Sequence, residues 1–118
     1  MTPDDVRSGF SRFGYDANDT LVAAVVELAE RDPDNLTEDG SGFEIWQPES
    51  WLSLDDALDG WDTMLGFGTQ RDGPYIGPPG VAIAGNGAED MLCFHAVGGT
   101  LIPKLMKWDQ TLGSFEPV

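Results

Sequence analysis

Val81-Ala82-Ile83-Ala84-Gly85-Asn86-Gly87-Ala88-Glu89-Asp90-Met91-Leu92-Cys93-Phe94-His95-Ala96-Val97 is the stretch that decides the fold. Two runs rich in apolar and β-forming residues flank Gly85-Asn86-Gly87, and Asn-Gly tolerates the positive φ angles of a tight hairpin turn. The spacing predicts an antiparallel hairpin. Gly98-Gly99 then makes a second turn into Thr100-Leu101-Ile102 and Leu105-Met106-Lys107-Trp108, read as a third strand interrupted or edged by Pro103.

Upstream the period is that of helix. Thr2-Pro3-Asp4-Asp5 supplies a cap candidate, a first-turn proline and two acids, with Val6, Phe10 and Phe13 at helical spacing and Gly14 as a terminator. Asn18-Asp19-Thr20 opens a second helix carrying Leu21, Val22, Val25, Val26 and Leu28, with Arg31 near its negative end before Pro33. Residues 32–42, DPDNLTEDGSG, read as a solvated loop. Phe43-Glu44-Ile45-Trp46 alternates as a short strand, and Trp51-Leu52 resumes the apolar pattern. Ser53 and Asp56 form a capping box for a third helix with Leu54, Ala57, Leu58, Trp61 and Leu65 on one stripe. Residues 66–80, with five glycines and three prolines, read as a long loop. The order of helices, one short strand, a helix and a strand meander predicts a single α+β domain over residues 1–118, with N-terminal helices packed on a mainly antiparallel sheet.

Composition places the chain among folded proteins. Hydrophobic residues make up 41% of its 118, and 4 Trp, 6 Phe and 2 Tyr supply large side chains to bury. No apolar run reaches the roughly 18 residues of a membrane span, and the N-terminus has acids where a secretory leader has basic and apolar residues. With one cysteine, no intramolecular disulfide forms, which suits a reducing compartment, so a cytoplasmic location is expected. The formal net charge is −15, and residues 1–62 hold 16 acids against 3 bases. A field of this sign disfavours nucleic acid and anionic membrane as direct ligands and attracts basic proteins.

The block Phe43-Glu44-Ile45-Trp46, Trp51-Leu52-Ser53-Leu54-Asp55-Asp56-Ala57 and Trp61 resembles the strand, Leu-Ser-Leu-Glu-Glu-Ala helix and Trp of the SUKH superfamily, which includes bacterial immunity proteins and fungal cell-wall regulators. Val81-Ala82-Ile83-Ala84, Gly85-Asn86-Gly87 and Asp90-Met91-Leu92-Cys93-Phe94 are similar to its strand, Gly-rich turn and second apolar strand. The resemblance spans roughly residues 20 to 108 and is structural, not catalytic. The sequence departs from the pattern at Glu30-Arg31-Asp32-Pro33-Asp34-Asn35, where the family has an aromatic and Asn-Gly, and in lacking a final helix after Trp108. The resemblance implies an immunity protein that neutralises a toxin of nuclease or deaminase type by occluding its basic cleft. Asp32, Asp34, Glu38 and Asp39 in the loop and Asp55, Asp59 and Asp62 on the third helix are the partner-binding candidates, the last three at i, i+4, i+7 on one face. The same stripe also suits an ordinary solvated helix face. The alternative is an acidic nucleic-acid mimic, such as a phage-type inhibitor of a DNA-binding or defence protein, with carboxylates spaced like phosphates.

Catalytic and metal motifs are not found. Cys93 and His95 lie two apart on a strand, but no third group orients them and nothing makes the thiol's setting electropositive. One His and one Cys cannot complete a structural zinc site of four nitrogen and sulfur ligands. In the acid-rich loop from Asp32, Leu36, Thr37 and Phe43 stand where an EF-hand needs a ligand, a glycine and a bidentate Glu. Gly66-Phe67-Gly68 lacks the third glycine of a dinucleotide fingerprint and follows a helix. No catalytic residue, cofactor or metal is expected, and the chain is read as a non-enzymatic binding protein of unknown oligomeric state.

Overall fold

A computed structural model describes residues 1–30, 43–58, 78–85, 90–109 and 114–118. The chain begins with α1 (Pro3–Ser11) and α2 (Asp19–Glu30). The Thr2 hydroxyl accepts from the Asp5 amide at 3.2 Å, and the Asp5 carboxylate accepts from the Thr2 amide at 3.0 Å, so α1 starts with a reciprocal capping box. These bonds hold the Asp5 carboxyl below the usual aspartate value. At α2 the Asn18 side-chain oxygen accepts from the Leu21 amide at 2.8 Å. Val6 and Phe10 from α1 and Leu21, Val22, Val25 and Leu28 from α2 are buried, as the helical spacing predicts.

Seven strands follow: β1 (Glu44–Ile45), β2 (Leu52–Ser53), β3 (Gly80–Gly85), β4 (Met91–Val97), β5 (Thr100–Leu101), β6 (Met106–Asp109) and β7 (Ser114–Pro117), with α3 (Leu54–Leu58) after β2. They form one sheet in the order β1-β3-β4-β6-β7, with β2 also on β3 and β5 also on β4, and every strand pair is antiparallel. The fold is therefore α+β. The β3–β4 hairpin predicted from the opening stretch is present, with Val81 opposite Phe94 and Gly85 opposite Met91; its turn at residues 86–89 lies outside the described residues. Gly98 and Gly99 both take positive φ, 60° and 83°, which is what a two-residue hairpin loop between β4 and β5 requires. The segment read as one interrupted third strand is two short strands on the same edge of β4, separated around Pro103.

The sheet is covered on both faces. Along β4, Leu92, Phe94 and Ala96 meet α1 and α2, while Met91 and Cys93 point the other way, toward Leu54 and Leu58 of α3, with Trp108 from β6. A register shift between Ala82 and Ala84 lets consecutive Ile83 and Ala84 both join the helix-side core. Double coverage explains why β3 reads as an unbroken apolar run. The helix pair is pinned to the sheet by a parallel bridge: the Asp16 amide donates to the Gly99 carbonyl at 2.9 Å, and the Leu101 amide donates to the Asp16 carbonyl at 2.9 Å. Among the described residues no helix is long and apolar enough to cross a membrane.

Candidate functional site

Of the seven acidic residues predicted to face a partner, Asp55 is placed, exposed in the first turn of α3. The amide of its neighbour Asp56 donates to the Ser53 hydroxyl at 3.2 Å, as the capping pattern predicts. Asp32, Asp34, Glu38, Asp39, Asp59 and Asp62 lie outside the described residues, as do the loop at 32–42, the glycine-rich segment over 66–77 and the part of the third helix carrying Trp61 and Leu65.

The described N-terminal part nonetheless presents more acid than those seven positions. Asp4, Asp5, Asp16, Asp19, Glu27, Glu30, Glu44, Glu49, Asp55 and Asp56 are all exposed, against two arginines in the same segments. Both arginines are engaged within the molecule. Arg7 pairs with Asp19, tying α1 to the start of α2. Arg12, at the C-cap of α1, donates to the carbonyls of Glu49, Pro48 and Trp51 at 3.1, 3.0 and 2.8 Å and lies over the Phe13 ring. Between α1 and the 3-10 turn at Pro48–Ser50 runs a groove of about 340 Å³ lined by Asp5, Ser8, Gly9, Arg12, Pro48 and Glu49, which brings Asp5 and Glu49 to one opening. Sequence spacing carried no signal for this groove, because Asp5 and Glu49 meet only through the packing of α1 on the turn. Over the described part of the second half, Asp90, Asp109 and Glu116 are set against Lys104 and Lys107, so the charge is segregated toward the first half.

The opposite sheet face holds Cys93 and His95. Cys93 is fully buried, and its apolar surroundings push the thiol pKa up to about 12, so it carries no reactive thiolate at neutral pH. His95 packs edge-on against Phe115 with ring centroids 4.5 Å apart; burial pushes its pKa down, and its Nε2 is buried with no hydrogen-bond partner. Neither group supplies the activated nucleophile or the oriented base that covalent catalysis needs. Among the described residues no three His, Cys, Asp or Glu side chains gather as a metal cluster.

No family model, curated protein or solved structure matches this chain. The functional reading therefore rests on its own surface.

Proposed function

We propose that this chain is a non-catalytic acidic binding protein of the SUKH immunity type, acting in the cytoplasm, which neutralises a nuclease or deaminase toxin by covering its basic cleft. The observation that carries the reading is the exposed acid of the N-terminal segments, whose two described arginines are already committed to internal partners. Like charges concentrated in the N-terminal segments of a small domain cost stability through repulsion, and that cost is offset when a basic surface meets them. A protein that handles nucleic acid carries such a surface to hold phosphates.

The deciding experiment is co-expression with candidate toxin domains followed by association kinetics on the pair that forms. Raising salt from low to several hundred millimolar slows capture by roughly ten-fold or more, with a smaller change in dissociation. Joint charge reversal at Asp55, Asp59 and Asp62 weakens capture more than the same number of reversals after Thr63. Capture indifferent to salt overturns the electrostatic reading. A partner that binds duplex DNA and loses this chain to competing DNA points instead to the nucleic-acid mimic.

A further inference from the structure

Strand β7 stands at one end of the sheet and pairs with β6, yet one of its side chains reaches further in. The Phe115 ring packs at 86° against the ring of His95 on β4, beyond β6, with centroids 4.5 Å apart, and meets the buried Trp108 ring at 4.9 Å. Ser114, Glu116 and Pro117 are exposed, so the inward hold of β7 on the sheet face under α3 runs through Phe115. An edge strand of four residues with little buried surface belongs to the parts of a fold that open locally at low cost, whereas β4 is paired along both of its edges.

His95 is the only histidine in the sequence. Its ring is half-buried as a whole, and its Nε2 atom is buried with no hydrogen-bond partner. A neutral imidazole carries one N–H, whereas an imidazolium carries two, with the charge shared between them. Protonation in place therefore leaves a charged donor dry, which costs more than leaving a neutral atom so. Burial accordingly pushes the His95 pKa below its ordinary 6.5. Among the described residues, no charge on the neighbouring elements offsets this. Cys93, two residues back on β4, is held as the neutral thiol, and β3 sets Gly80 opposite His95. On β6 and β7, Lys107, Asp109 and Glu116 alternate to the opposite face from Trp108 and Phe115. Asp55 and Asp56 of α3 and Lys104 before β6 are exposed to solvent.

We infer that the His95–Phe115 contact is a pH-sensitive latch: His95 takes up a proton from solvent, Phe115 gives way so that the imidazolium is hydrated, and β7 opens from the sheet while the helices and the β3–β4 hairpin stay folded. The open form binds the proton more tightly than the closed one, so the latch is shut above the ordinary histidine value of 6.5 and opens progressively as pH falls below it. Opening uncovers Trp108 and the apolar cluster around Met106. The inference is independent of the toxin-binding reading.

The test follows the whole protein by NMR between about pH 7.5 and 5, above the range in which ordinary carboxylates take up most of their protons. The single imidazole gives one titration curve, and the β7 amides, with that of Val118 on the Leu105 carbonyl at 3.2 Å, report opening through hydrogen exchange. His95 titrates below 6.5. Exchange in β7, corrected for its intrinsic rate, speeds up roughly three-fold or more as pH falls, while α1, α2 and β3 keep their protection. In His95→Leu that pH dependence disappears, and in Phe115→Ala the His95 pKa returns toward its ordinary value. A His95 pKa at or above 6.5, β7 exchange indifferent to pH, or the same acceleration in His95→Leu overturns the latch. Loss of protection in the helices and β3 together with β7 also overturns it, since that is global unfolding. Should His95→Leu fail to fold, Phe115→Ala decides alone, and an unchanged His95 pKa in that variant sinks the idea.

Discussion

Arg12 shows how a charged residue in an acidic protein can serve the fold. Its guanidinium reaches across from the end of α1 to the carbonyls of Pro48, Glu49 and Trp51, three acceptors from a segment more than thirty residues away, while its face lies over Phe13 at 4.6 Å. A planar fork of donors suits that convergence, and a lysine ammonium, a point donor on a flexible stem, does not reproduce it. Arg12→Lys is therefore expected to destabilise the protein by about 1–2 kcal/mol, toward the lower part of the range for hydrogen bonds from a charged group because Arg12 is itself exposed. A lower urea midpoint at unchanged slope checks this; an unchanged midpoint would show the three bonds contribute nothing net. Nothing in the run Ser11-Arg12-Phe13 announces this role, since the acceptors are backbone atoms placed by tertiary packing.

At the scale of elements, α1 meets the segment after β1 through a glycine. A Cβ on Gly9 would lie 2.8 Å from Trp51 Cζ3 and 2.9 Å from Pro48 Cβ. Trp51 cannot retreat easily: it is buried, its ring centroid is 4.7 Å from that of Phe10, and its indole N–H donates to the Trp46 carbonyl at 2.9 Å. Two effects oppose each other in Gly9→Ala. Helix propensity favours alanine by about 1 kcal/mol, and overpacking a fixed core contact costs about 1–3 kcal/mol. The contact is expected to win, so the variant unfolds at lower denaturant, and a higher midpoint would show that the Trp51 ring yields. The elements differ in how plainly they were written. The caps at Thr2, Asn18 and Ser53 and the β3–β4 hairpin were legible because a cap or hairpin is specified by residues a few positions apart. The 3-10 turn at Pro48–Ser50 and strand β7 were not, since Ser114–Pro117 becomes a strand only by pairing with β6, Trp108 facing Phe115.

The whole molecule is governed by its charge. With a net −15 and ten exposed carboxylates in the described N-terminal segments, repulsion in the folded state exceeds that in the expanded chain, where the same charges lie farther apart. Raising salt from about 0.01 to 0.15 M shortens the screening length from about 30 to 8 Å and is expected to raise the melting temperature of the isolated protein; a fall would mean that favourable ion pairs such as Arg7 with Asp19 outweigh repulsion. The same screening that stabilises the free protein slows capture of a basic partner, so the two measurements move in opposite directions if one acidic surface underlies both. The sequence by itself determined the class α+β, the N-terminal helices, the hairpin and the sign and lopsidedness of the field, because periodicity, capping and charge are properties of neighbouring residues or of their sum. Tertiary structure alone decided that Asp5 and Glu49 share a groove, that Arg12 is spent on backbone carbonyls, and that Met106 stands opposite Cys93 with His95 on the same face. Those juxtapositions depend on strand register and helix docking, which are set by the packing of side chains distant in sequence and leave no local pattern to read.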